Sequence, residues 1–103
     1  MSQPLRVVFL LRLHPGARDR FLAAYEQVRW QVAGTPGHLR DQVCQSIEDP
    51  DRWLITSEWA SAEDFLNWER TPEHRVAAAP MMACVASRES LRFAVRASTE
   101  VLA

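Results

Sequence analysis

The sequence contains no lysine. All 12 of its basic side chains are arginine, which removes Schiff-base chemistry and a phosphate-loop lysine together. Glycine is scarce, three in 103 residues. No Gly-x-Gly-x-x-Gly, Walker or Gly-x-Ser-x-Gly pattern is present, so neither a nucleotide site nor a serine hydrolase is expected. Cys44 and Cys84 stand apart with no Cys-x-x-Cys spacing, and both are expected as buried, reduced thiols. The three histidines show no His-x-His or His-x-x-x-His spacing, and no metal is expected. No apolar run approaches the length of a membrane span, and the opening residues MSQPLR have no signal-peptide layout. A cytoplasmic protein with no membrane partner is therefore expected. An excess of either charge is also missing: 12 basic and 13 acidic residues interleave to a net −1, leaving no basic stripe for nucleic acid.

What is present is a chain that is 48% apolar and 24% charged, the balance of one ordinary domain spanning residues 1–103. Leu5–Leu13, "LRVVFLLRL", reads as a strand. Leu5, Val7, Phe9, Leu11 and Leu13 alternate onto one face, while Val8 and Leu10 make the centre of the other face apolar as well. Ala17–Ala33 reads as a helix with Phe21, Tyr25, Val28 and Val32 as its inner stripe. Gly34, Pro36 and Gly37 close it. His38–Glu48 and Arg52–Ala60 are two strands joined through "EDPD" as a hairpin. Ser61 with Asp64 resembles a capping box for a short helix to about Glu69. Thr71 caps a further helix with Pro72 at its first position, and Pro80 is expected to kink or break it. Ser90–Ala97 alternates Leu91, Phe93 and Val95 as the last strand. The order βαββαβ is the ferredoxin-like arrangement, an α+β fold with a four-stranded antiparallel sheet. Helices cover one face of such a sheet. The apolar centre of the other face predicts a homodimer through the open sheet face.

The stretch "SEWASAEDFLNWERTPEH", Ser57–His74, concentrates bulky aromatics among carboxylates. Together with the first strand ending in Pro-Gly and the helix closed by "TPG", it resembles the antibiotic biosynthesis monooxygenase superfamily of dimeric α+β barrels. The resemblance runs from Val7 to Val95. It implies a small planar aromatic substrate, molecular oxygen and no cofactor. Trp59 matches a tryptophan that ends the third strand in anthrone-oxidising members. Those members place an asparagine four residues earlier, where Ile55 stands, and a tyrosine six residues later, where Phe65 stands. Their first-helix tryptophan lies close to Trp30, and Arg75 is nearest to their last-helix arginine. The haem-degrading branch pairs a helix tryptophan, matched by Trp68, with a histidine ten residues on, where Ala78 stands.

Each of these residues also has a plain structural role open to it. Trp59 and Trp68 are core anchors or walls of an aromatic pocket. His74 is a core or capping histidine, or a pocket base whose titration near neutrality suits proton abstraction. Met81 is a gap filler or a substrate contact. Trp30 falls opposite the inner stripe of its helix. The expected function is a cofactor-independent monooxygenase that converts an anthrone or hydroquinone of polyketide type to a quinone. His74 is its expected base, and Trp59, Phe65, Trp68, Trp30, Met81 and Arg75 its substrate contacts. The alternatives are an aromatic polyketide cyclase using the same pocket and a non-catalytic binding subunit.

Overall fold

The computed structural model describes residues 3–102. Seven elements follow one another: β1 (Leu5–Leu13), α1 (Arg18–Ala33), β2 (His38–Gln45), β3 (Arg52–Trp59), α2 (Ala62–Glu69), α3 (Pro72–Met82) and β4 (Val85–Ala94). The strands form one sheet in the order β2-β3-β1-β4, with every neighbouring pair antiparallel. This is the ferredoxin-like α+β architecture, its central strand β1 flanked by β3 and β4.

The alternation in β1 sorts the sheet into two faces. On the helix side Leu5, Val7, Leu11 and Leu13 are buried, while Phe9 is only partly so. The core on this side is divided. One cluster gathers Leu11, Leu13, Phe21, Tyr25, Val28, Trp53 and Met81. The other gathers Leu5, Val7, Trp59 and Phe65, with Val32 and Trp68 against it. On the opposite face Val8 pairs with Thr56 and Leu91, Leu10 with Leu54, and Arg6 with Phe93. Arg6 forms an ion pair with Glu58 there. Phe93 is 53% exposed, and among the described residues no helix covers this side.

Local chemistry sets the element ends. Pro15 and Gly16 turn the chain after β1, with Gly16 at φ +77° and the Ala17 amide donating to the His14 carbonyl at 3.1 Å, a position that suits glycine. The Ser61 hydroxyl accepts from the Asp64 amide at 3.1 Å and donates to its carboxylate at 3.0 Å, so Ser61 caps α2 while the carboxylate binds the hydroxyl rather than the Ser61 amide of a full capping box. Gly37, at φ +83°, lies against Asp64; a Cβ there would meet its carboxylate at 2.3 Å. Thr71 accepts from the His74 amide at 3.3 Å and opens α3.

Several boundaries differ from the sequence expectation. β2 ends at Gln45 rather than Glu48, because the Ser46 hydroxyl accepts from the Glu48 and Asp49 amides, both at 3.1 Å, and starts the turn early. β4 begins at Val85, not Ser90, recruited by β1 across a bulge between Arg12 and Leu13. It ends at Ala94 rather than Ala97, since its partner strand runs out at Leu5. Pro80 does not end α3, which continues to Met82. The helix finishes two residues later, and the hydrogen bond it forgoes would have reached Val76, whose side chain points to solvent. Cys84 is buried, but Cys44 is exposed: its place opposite Leu54 puts it on the uncovered side of the sheet. Among the described residues no helix is long and apolar enough to cross a membrane.

Candidate active site

The gap between the two core clusters is a cavity of about 560 Å³. Its floor is the sheet at Val7, Phe9, Ile55 and Ser57, and its roof is α1 and α3. It spans the sheet from Asp41 on the edge strand β2 to Arg88 and Ser90 on the opposite edge strand β4. The lining is mainly apolar with few polar groups, the usual make-up of a small-molecule pocket.

One wall is aromatic. Trp59 is fully buried and meets Phe65 edge-on at 5.5 Å and Trp68 at 5.3 Å between ring centres. Its indole N–H donates to the Ser57 hydroxyl at 3.1 Å, so its one polar atom is satisfied within the sheet. Arg92 lies over Phe65 at 5.2 Å and pairs with Glu69 at 2.8 Å. The short spacing from Trp59 to Trp68 works because Ser61 caps α2 immediately after β3, folding Phe65 and Trp68 back over the end of the sheet.

His74 sits in the first turn of α3, its ring centre 3.9 Å from that of Trp68. The α3 cap uses its backbone amide, not its imidazole. Among the described residues the ring nitrogens have no protein hydrogen-bond partner. Burial holds the imidazole below its ordinary pKa, with Glu69 opposing and Arg75 reinforcing that shift. His74 and Trp68 also border a second, more external cavity of about 370 Å³ between α1, α2 and α3, lined by Asp64, Asn67 and Glu73. The His74–Trp68 pair is thus a shared wall between the two spaces.

The structure brings Trp59, Phe65, Trp68, His74, Arg75 and Met81 onto the main cavity. Trp30 does not join them. It is 68% exposed, lies under the Arg29 guanidinium at 4.8 Å and lines neither cavity. Its position half a turn from the buried stripe of Phe21, Tyr25 and Val28 explains this.

Six polar lining residues lie outside the sequence-based site: Ser57, Glu69, Arg88, Ser90 and the hydrogen-bonded pair Tyr25 and Asp41. Tyr25 is buried in the core stripe of α1 and also lines the cavity, its hydroxyl donating to Asp41 Oδ1 at 2.6 Å. Burial, the Asp41 hydrogen bond and the carboxylate's charge push the phenol well above its ordinary pKa. A signal was available: Tyr25 is the only tyrosine, and a buried phenol needs a partner. Asp41 shares its strand face with Val43, which packs on the core. An acid on a core-facing strand position is the counterpart of that need.

The comparisons with known proteins agree with this architecture. A model of the antibiotic biosynthesis monooxygenase family matches residues 4–80. A Streptomyces coelicolor protein described as a 42.8 kDa protein in the whiE locus is 47% identical over 96 residues, 93% of this chain and 24% of its own length. CurD of Streptomyces cyaneus, described as a polyketide synthase, is 42% identical over 91 residues, 88% of this chain and 24% of its own. The chain therefore spans about a quarter of the length of the curated relatives it matches. Among solved structures, SnoaB from Streptomyces nogalater, a cofactor-independent oxygenase, superposes with a TM-score of 0.83 at 18% identity, covering 94% of this chain and 97% of that one. At that identity the likeness is one of fold.

Proposed function

The chain belongs to the antibiotic biosynthesis monooxygenase family, and we propose that within it this domain oxidises a planar aromatic polyketide with molecular oxygen and no cofactor. The observation that carries the reading is the main cavity: an aromatic wall of Trp59, Phe65 and Trp68 beside an unpaired, half-buried imidazole. A flat ring system fits such walls. Burial keeps the imidazole unprotonated near neutral pH, ready to accept a proton. The polyketide assignment draws on the whiE-locus relative and on CurD.

For an anthrone the chemistry balances simply. His74 takes the acidic ring proton and leaves a carbanion delocalised onto oxygen. That electron-rich anion passes one electron to O2, the two radicals join as a peroxide, and loss of water leaves the quinone. Anthrone and O2 become anthraquinone and water. The protein contributes a base, orientation and exclusion of bulk water. The test is oxygen uptake with an anthrone and no added flavin or metal. An uptake rate no greater than the spontaneous one refutes the assignment.

A cyclase reading on the same cavity has its own support. Ile55 lines the floor and Phe65 is buried in the wall, where the resemblance to anthrone-oxidising members would call for asparagine and tyrosine. A site with fewer polar groups suits the folding of a poly-β-ketone chain. Product mass separates the two, because aldol cyclisation with dehydration removes water and oxygenation adds oxygen. We also propose that a second copy covers the open sheet face, whose centre is Val8, Leu10, Leu54 and Leu91.

A further inference from the structure

The β2 end of the cavity holds a polar arrangement that neither the base nor the aromatic wall uses. Asp41 Oδ1 accepts from Tyr25 at 2.6 Å. Asp41 Oδ2 lies 3.6 Å from His38 Nε2, too far for a good hydrogen bond. The His38 side chain is only 6% exposed, and its Nε2 is buried without a partner among the described residues. The ring is held by an edge-on contact with Trp59 at 5.1 Å. The register shift between His38 and Arg40 puts His38 and Asp41, three residues apart, on the same face of the sheet. Buried polar groups are normally paired, and an exception asks for an explanation.

We propose that Asp41 is the hydroxyl-binding residue of the cavity, its carboxylate held by Tyr25 so that it accepts a hydrogen bond from a phenolic or enolic O–H of the bound ring system. The inference rests on the reading of the cavity as an aromatic-ligand site. A carboxylate has about four acceptor positions. Tyr25 occupies one, His38 lies beside the other oxygen, and the residue lines a space whose surface is otherwise mostly hydrocarbon. Away from β2 the lining includes Arg75 on α3 and Arg88 on β4, side chains that donate hydrogen bonds but cannot accept them. A ligand with a hydroxyl at one end and a carbonyl or anionic oxygen at the other therefore has one favoured orientation. The hydroxyl points to β2 and the acceptor to β4. The class selected is hydroxylated polycyclic aromatics rather than their unsubstituted parents.

The test compares 2-hydroxyanthraquinone with unsubstituted 9,10-anthraquinone, each titrated against the intact chain by quenching of tryptophan fluorescence. The wild type is expected to favour the hydroxylated probe by about 10- to 100-fold, the range for a hydrogen bond to a charged group. In Asp41→Asn the ratio of the two dissociation constants should fall below about threefold, a change that loss of packing alone does not produce because it affects both probes. Equal binding of both probes by the wild type overturns this proposal while leaving the aromatic cavity standing. An unchanged ratio in Asp41→Asn also overturns it. If the wild type binds neither probe, the aromatic-ligand reading falls and this inference with it. The wild-type comparison needs no variant, so a poorly folding substitution does not decide the outcome.

Discussion

Replacing His74 separates chemistry from packing, because the structure assigns its backbone and its ring different tasks. The α3 cap runs from the His74 amide to the Thr71 hydroxyl, so His74→Ala keeps the cap. What it loses is the ring lying at a tilt against Trp68, 3.9 Å between centres, and, among the described residues, no protein hydrogen bond. An aromatic contact of this kind is worth about 0.5–1.5 kcal/mol beyond buried area. For a domain of this size 1 kcal/mol moves the melting temperature by roughly 4–8 °C. His74→Ala should therefore melt a few degrees lower, still cooperatively. Its turnover should fall by about 10²–10⁴-fold, the range for losing general acid–base help. His74→Asn is the control, since the amide fills similar space and cannot take a proton near pH 7. Melting curves give the stability, and initial rates at a temperature where both variants are folded give the chemistry. A His74→Asn protein with wild-type turnover refutes the base assignment and returns the imidazole to a packing role.

Other consequences can be checked on the same preparations. Because the folded chain holds the His74 proton less tightly than the unfolded chain, protons favour unfolding. Its contribution to stability is full above the ordinary value near 6.5 and is lost as the pH falls from there through the lowered folded value. Urea melts of wild type and His74→Asn across that range should diverge toward acid, and parallel curves would count against the shift. Gly37→Ala forces a Cβ to within 2.3 Å of Asp64 at a positive φ; a loss of about 1–3 kcal/mol is expected by denaturant melts, and an unperturbed variant would mean the α2 start is free to move. Leu10→Asp places a charge at the centre of the open sheet face. Light scattering should show the wild type as a dimer and this variant as a folded monomer, and a monomeric wild type removes the basis for a covered face.

The sequence showed the parts of this fold that depend on local pattern. Two-residue alternation marked β1, and Ser61 and Thr71 marked the helix starts because a hydroxyl before an apolar run has few other uses. The start of β4 was hidden, since Val85–Glu89, "VASRE", has little strand character of its own and is drawn into the sheet by the free edge of β1. The aromatic wall was legible because Trp59, Phe65 and Trp68 lie close in sequence. The Tyr25–Asp41 contact was not: it joins α1 to β2 across a bulge, and a one-residue change of register sends a side chain to the other face. Trp30 misled by its family-like position, although its helix phase already placed it away from the core.

The divided core has a thermodynamic meaning. Packed interiors leave few voids larger than a water molecule, whereas here the middle of the sheet's inner face opens onto a space of about 560 Å³. A ligand seated there would serve as the interior that the chain does not supply. Occupancy and folding are then linked by mass action: at a free concentration 100 times its dissociation constant, a ligand that binds only the folded form adds about 2.7 kcal/mol. For a domain this small that amounts to a rise in melting temperature of roughly ten degrees or more. The protein can therefore report its own ligand, since the compound that completes the core raises the melting point whether or not it is turned over.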